Sequence, residues 1–277
     1  MKLKQLFTSV ESIDSERAKT FIEEHEEGAF TVLDVRQPAE YEEVHLPGAK
    51  LVPLPELHHS IDELDPEKPV IVLCAVGGRS RVAAQLLSGM GFKEVYNLKG
   101  GIKAWQGLKS EGPRELNLDL VRGDESPAEI AALAYGMEQC VQSFYIEMHS
   151  RAEDDDMREL FLKLASIEEK HKQTILELRA KVEPPGTGIE TYKTDGAPNV
   201  MEGGFDMEEF MEQNEPMLKT VSSVIELAMM LETQALDLYL RLADKSTNAE
   251  TKDVLFKIAQ EEKAHLSALG RLMENKI

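Results

Sequence analysis

Two short phrases in the chain carry the same pair of residue types at the same spacing. IEEKH (167–171) holds Glu168 and His171, and QEEKAH (260–265) holds Glu262 and His265. On a helix, residues three apart share one face. The flanking apolar residues run in steps of three and four, with Phe161, Leu164, Ile175, Leu178 and Val182 around the first pair and Leu255, Ile258, Leu269 and Leu272 around the second. Each pair therefore interrupts an inward-facing stripe with a carboxylate and an imidazole. The offset between the copies is 94 residues, and the same offset carries Glu138 onto Glu232 and Tyr145 onto Tyr239. Each copy thus offers one Glu and one Glu-x-x-His. The spacing alone is weak, because His45 and His59 also follow a Glu by three residues. Its specificity comes from four helices, one inward Glu on each, and a His on the second and fourth.

Four buried carboxylates without counter-charge would each cost roughly several kcal/mol. Two divalent cations balance four carboxylates while both histidines stay neutral. Glu138, Glu168, His171, Glu232, Glu262 and His265 are therefore read as ligands of a dinuclear metal centre. Oxygen-rich ligation with imidazole suits iron or manganese, with zinc less favoured in the absence of thiolate. Tyr145 and Tyr239 are read as packing near the core with their hydroxyls satisfied.

A second kind of chemistry centres on VIVLCAVGGRSRVAAQLL (70–87). A strand ends in Cys74, a loop with Gly77 and Gly78 follows, and a helix begins near Ser80. Loop N–H groups and a helix N-terminus can converge on the sulfur, and Arg79 adds a full positive charge. These features lower a thiol's pKa and favour the thiolate. Cys140 lies two residues from Glu138 and is read as a small buried hydrophobe.

These groups need elements to hold them. TVLDV, KLVPL, VIVLC and EVYNL read as strands, and SERAKTFIEEH, SRVAAQLLSGM and IKAWQGLKS as helices. This alternation predicts a parallel sheet covered on both faces. After Leu108 the chain turns polar and Gly/Pro-punctuated, so residues 1–110 form the first domain and 111–126 a linker. Ser126-Pro127-Ala128-Glu129 then reads as a capped helix start. Helices over roughly 127–152, 155–182, 215–245 and 248–275 follow, with one long crossover at 183–214, inside a second domain at 127–277. Two hairpins joined by one crossover predict a ferritin-like four-helix bundle.

Composition sets outer limits. The chain has 277 residues and a formal net charge of -20. Residues 1–112 carry 13 Lys+Arg against 18 Asp+Glu, and residues 113–277 carry 18 against 33. The acidic second half argues against nucleic acid, which binds basic surfaces. No apolar run approaches the roughly 18 residues of a membrane helix, and the opening stretch lacks a signal peptide's apolar region. Two cysteines are too few for a disulfide framework, which points to a reducing cytoplasm.

Residues 127–276 resemble the ferritin-like di-iron carboxylate proteins, and the six-ligand set resembles the bacterioferritin and rubrerythrin branch. The resemblance implies two iron ions bridged by Glu168 and Glu262, with Glu138 and Glu232 as terminal ligands and His171 and His265 closing each shell. It also implies a homodimer. Two departures stand out. Rubrerythrins carry another Glu one turn after the third-helix ligand, where this chain has Ala235, and the paired-Cys iron domain is missing.

Residues 5–108 resemble a single-domain rhodanese through LDVRQPAEYEEVHLPGA, CAVGGRS and NLKGGIKAW. This implies that Cys74 takes sulfur from a sulfane donor, holds it as a persulfide and passes it to a thiol acceptor. Arg79 and the amides of Ala75, Val76, Gly77, Gly78, Arg79 and Ser80 would cradle the anion, and Asp34 and Arg36 would brace the loop. Cys-x4-Arg makes a six-residue loop sized for sulfur; tyrosine phosphatases use Cys-x5-Arg. Ala75 and Val76 place no charge beside the nucleophile, so a persulfide is expected to outperform thiosulfate as donor.

The combined expectation is an enzyme: a sulfurtransferase fused to a di-iron oxidoreductase module, serving sulfur or oxidative-stress metabolism. The alternative is an iron-binding, ferroxidase or metal-sensing protein whose rhodanese half docks partners or senses sulfide.

Overall fold

The computed structural model describes residues 9–182 and 200–274. The chain divides into two compact units, Met1–Leu116 and Asn117–Ile277. Crossover residues 183–199 and the two extreme ends lie outside the described residues.

The first unit is a five-stranded parallel sheet. Its strands are β1 (Glu11–Ile13), β2 (Thr31–Asp34), β3 (Lys50–Leu51), β4 (Val70–Leu73) and β5 (Val95–Leu98), in the order β1-β5-β4-β2-β3. Alternation along the central strands sends side chains to two separate cores. Val70, Val72 and Leu33 join Ala83, Ala84 and Leu87 of α3 (Gly78–Gly89) on one face. Ile71, Leu73 and Val32 join Ala18 of α1 (Ser15–Glu24), Tyr41 of α2 (Pro38–Glu43) and Ile102 of α4 (Gly101–Ala104) on the other. The expected parallel sheet with two covered faces is present.

Three local differences have physical causes. Strand β1 is too short to read from pattern, and it is fixed by pairing Glu11, Ser12 and Ile13 with Tyr96, Asn97 and Leu98 of β5. Helix α2 starts from a Gln37 capping box with Glu40 and has Pro38 in its first turn. Helix α4 stops at Ala104 because Trp105 turns extended and its indole N–H donates to the Leu108 carbonyl at 2.9 Å.

The second unit is a four-helix bundle of α5 (Pro127–Arg151), α6 (Asp155–Val182), α8 (Val221–Lys245) and α9 (Ala249–Glu274), with a short α7 (Met207–Asn214) before α8. The Ser126 hydroxyl accepts from Glu129 N, and the Glu129 side chain accepts from Ser126 N, so the capped start is formed. The third long helix begins at Val221 rather than near 215. Residues Glu215–Lys219 form a 3-10 turn with Pro216 near its start, and Thr220 caps the new helix. A core of Phe144, Phe161, Leu164, Ile225, Ala228 and Leu231 holds the hairpins together.

The stretch read as a linker, 111–126, is anchored at both ends. Gly112 N donates to Glu42 O in the first unit, while in the second Thr247 N donates to Gly123 O and the Thr251 hydroxyl to Glu125 O. The linker atoms in these contacts are backbone N–H and C=O groups.

Candidate active site and candidate metal centre

Cys74 follows the last residue of β4, and its side chain is 1% exposed. Four donors meet its sulfur. Gly77 N–H lies 3.1 Å from Sγ and the Ser80 hydroxyl 3.4 Å, while the Ser80 and Val76 amides add further hydrogen bonds. Burial pushes the Cys74 thiol up, but these hydrogen bonds outweigh it and hold the thiol below its ordinary range. The turn that aims the amides needs Gly77 at φ 91, and α3 begins at once at Gly78. Ala75 and Val76 span the loop's outer edge, with Val76 62% exposed.

The loop is gripped from behind by α4. Ile102 N donates to Cys74 O at 2.8 Å and Lys103 N to Ala75 O at 3.2 Å. A Cβ on Gly101 would lie 2.1 Å from Cys74 O, so the grip requires glycine there.

Arg79 reaches outward. Its guanidinium donates to both oxygens of Glu40, at 2.7 and 2.6 Å, so its charge is shared with a carboxylate. Asp34 and Arg36 form a fully buried ion pair with each other at 2.6 Å, and Arg36 also donates to Val44 O. They brace the end of β2 and the segment after α2. Two residues of this network were not singled out in the sequence. Asn97 Oδ1 lies 2.7 Å from the Ser80 hydroxyl and shares its single proton with Cys74 Sγ, and Asn97 donates to the Ser12 hydroxyl at 3.0 Å. Glu40 is the partner of Arg79. A polar residue in β5's apolar run was the available signal for Asn97.

In the bundle, α5 supplies Glu138, α6 Glu168 and His171, α8 Glu232, and α9 Glu262 and His265. All six point into one interior space. His171 Nδ1 lies 3.3 Å from Glu138 Oε1 and 2.9 Å from Glu168 Oε2. Its repeat mate His265 Nδ1 lies 3.7 Å from Glu232 Oε2 and 3.5 Å from Glu262 Oε2. The two imidazoles lie parallel, with centroids 3.1 Å apart. His171, Glu232, Glu262 and His265 form one group whose ligand atoms lie within 4.8 Å of one another, and Glu138, Glu168 and His171 form another.

The donor set fits a pair of cations. One carboxylate oxygen of each of Glu138, Glu168, Glu232 and Glu262 is buried without a well-directed hydrogen bond, as are both ring nitrogens of His171 and Nδ1 of His265, the short His–Glu approaches included. A fold rarely orphans so many polar atoms in one place. Burial, with neighbouring carboxylates, pushes Glu138 and Glu262 well above the ordinary carboxylate range. Burial opposes protonation of His171, but Glu138 and Glu168 outweigh it and push His171 up to about 11. Protons thus stand where cations would neutralise the same charges.

A further carboxylate enters this space from outside the four helices. Glu202, 2% exposed, sits in a 3-10 turn (Glu202–Gly204) of the crossover, and its Oε1 accepts from the Tyr239 hydroxyl at 2.5 Å. It groups with Glu138 and Glu262 within the same 4.8 Å limit. The composition of this stretch reads as connection, and the one local signal is a Glu ahead of paired glycines.

A parallel sheet with a loop-borne cysteine, joined to a bundle with paired Glu and Glu-x-x-His, defines a rhodanese-type domain fused to a ferritin-like carboxylate bundle. The comparisons agree. Residues 129–273 match the rubrerythrin family, and the chain belongs to it; residues 17–108 match the rhodanese-like domain. Over 76 residues the chain is 45% identical to YqhL of Bacillus subtilis (strain 168), covering 27% of this chain and 60% of that one. Over 78 residues it is 46% identical to the chloroplastic rhodanese-like/PpiC domain-containing protein 12 of Arabidopsis thaliana, covering 27% of this chain and 26% of that one. The chain thus spans less than two thirds of the length of either relative. A solved rhodanese with anions from E. coli is 35% identical and covers 30% of this chain and 100% of that one, with a TM-score of 0.29. Among the described residues no helix is long and apolar enough to cross a membrane.

Proposed function

We propose that the first domain is a sulfurtransferase working through a Cys74 persulfide, and that the second is a dinuclear iron-carboxylate oxidoreductase module in sulfur or oxidative-stress metabolism. The observation that carries the first part is the set of donors converging on the Cys74 sulfur, which favours an anion there. The Cys74 thiolate attacks the outer sulfur of a donor persulfide. The donor's S–S bond breaks, and the donor thiolate leaves with the electron pair. An acceptor thiolate then attacks the outer sulfur on Cys74, which returns as thiolate while the acceptor becomes the persulfide. Gly77 N–H, the loop amides and the Ser80 hydroxyl stabilise negative charge through both half-steps; Arg79 and Glu40 fix the loop's outer side.

Intact-mass spectrometry of protein treated with a low-molecular-weight persulfide tests this. The expected result is a gain of one sulfur atom on the wild type, retained in Cys140→Ala and lost in Cys74→Ala. Undiminished sulfur transfer by Cys74→Ala would overturn it.

For the second domain, the supporting observation is the orphaned polar atoms in both repeats. Glu138, Glu168, His171, Glu232, Glu262 and His265 would hold two iron ions, with manganese or zinc as the alternative occupants. Bound iron would supply redox chemistry toward oxygen or peroxide. The chain's own part is to hold six donors in register and to exclude bulk water with the surrounding apolar core. Elemental analysis of protein purified without added metal, with a visible-range spectrum, is expected to give two iron ions per chain. Near-zero iron, manganese and zinc would overturn the reading.

A further inference from the structure

We propose that Glu202 is an additional metal ligand of the dinuclear centre, delivered by the crossover rather than by a bundle helix; this rests on the dinuclear reading above. The turn that carries it is built to place this one side chain. An isolated bridge pairs Val200 with Asp206, Met201 N donates to Phe205 O at 2.7 Å, and Gly204 N donates to Met201 O at 3.0 Å. Gly203 and Gly204 both take positive φ, at 76 and 86. Asn117, itself at φ 60, donates from Nδ2 to Gly203 O at 2.9 Å, and a Cβ on Gly204 would lie 1.9 Å from that nitrogen. Most other residue types would cost about 1–2 kcal/mol at these angles, so Gly203 and Gly204 let the turn form without strain.

That turn brings a carboxylate into a space already holding four others. The hydrogen bond described for Glu202 comes from Tyr239, which satisfies Oε1 but adds no positive charge. The carboxylates it faces, Glu138 and Glu262, each keep a buried oxygen without a hydrogen-bond partner. Without a cation, the turn would only add to the repulsion among these carboxylates. With one, Glu202 adds an oxygen donor beside one ligand from each hairpin, Glu138 from the first and Glu262 from the second.

Cobalt(II) titration of metal-stripped full-length protein tests the assignment, followed by visible absorption and chelator competition. Wild type is expected to bind two cobalt ions. Glu202→Gln is expected to keep one near wild-type affinity, to weaken the other at least about tenfold, and to change the cobalt bands. Metal-free Glu202→Gln is expected to unfold at the same or higher urea concentration than wild type, because a crowded buried carboxyl is replaced by an isosteric neutral amide; a purely structural carboxylate would show the opposite sign. Two cobalt ions bound by Glu202→Gln with unchanged affinities and bands would overturn the proposal. Should that variant fail to fold, Glu202→Asp must shift the cobalt bands, and unchanged bands overturn it equally. Fewer than two cobalt ions on wild type would sink the dinuclear reading itself, before any variant is compared.

Discussion

Arg79 and Glu40 meet guanidinium to carboxylate through two hydrogen bonds of 2.7 and 2.6 Å, on the outer side of the loop that holds Cys74. The cation nearest the nucleophile in sequence is therefore largely compensated, and donors rather than a bare charge lower the thiol. Glu40→Ala should release that charge toward Cys74. The expected outcome is faster iodoacetamide alkylation of Cys74 near neutral pH and a lower KM for the dianion thiosulfate, which wild type should use less well than a persulfide. Alkylation rate against pH and side-by-side donor kinetics check both parts.

The same pair sets an acid dependence. Hydrogen bonding to Arg79, against the opposing effect of burial, holds Glu40 at about 2 instead of 4.5. A carboxyl with a depressed folded pKa contributes stability above its unfolded pKa and loses it as pH falls through the folded value. The stability advantage of wild type over Glu40→Gln should therefore be constant above about pH 5 and shrink between about pH 4.5 and 2. Urea midpoints measured across that range check it.

Ser80→Ala removes the one hydroxyl proton that Cys74 Sγ and Asn97 Oδ1 share. The Cys74 thiol should move up, and the rate of persulfide formation near neutral pH should fall. Leaving a buried acceptor unsatisfied should also cost about 1–3 kcal/mol in the first domain. Thiol titration and denaturant unfolding separate the two effects.

Gly101→Ala should be far more damaging than its size suggests. The new Cβ would stand 2.1 Å from Cys74 O, at a backbone φ of +60. The loop must shift, so sulfur transfer should collapse and stability fall by on the order of 3 kcal/mol. Ala104→Gly on the same helix serves as the comparison.

Chelation should lower the bundle's melting temperature without removing its helices. The core around Phe144, Phe161 and Leu231 packs without using any ligand side chain. Restoring metal at about 100 times its Kd should return roughly 2.7 kcal/mol. It should also release protons, because the donors must give up theirs. Calorimetry in buffers of different ionisation enthalpy measures that release.

Much of this was legible in the sequence because it is periodic. Steps of three and four exposed the inward stripe of each bundle helix, and their interruption exposed Glu168, His171, Glu262 and His265. Strand β4 was legible as an apolar run. What escaped depends on contacts that local pattern does not encode. Strand β1 exists through pairing with β5, and Asn97 matters because β5 lies beside the helix that begins at the Cys74 loop. Arg79 looked aimed at the sulfur by proximity along the chain, while Glu40, distant in sequence, is what it grips. Glu202 was hidden in a stretch whose composition reads as connection, because a two-glycine turn resembles any loop until its neighbours are known.

The 94-residue register makes the bundle nearly twofold, with each hairpin bringing the same three donors. Glu202 has no counterpart among them, since among the described residues the turn that presents it occurs in the crossover alone. The pocket's halves are thus chemically inequivalent. Two ions held there would experience different fields, fill in a fixed order, and share an added electron unevenly.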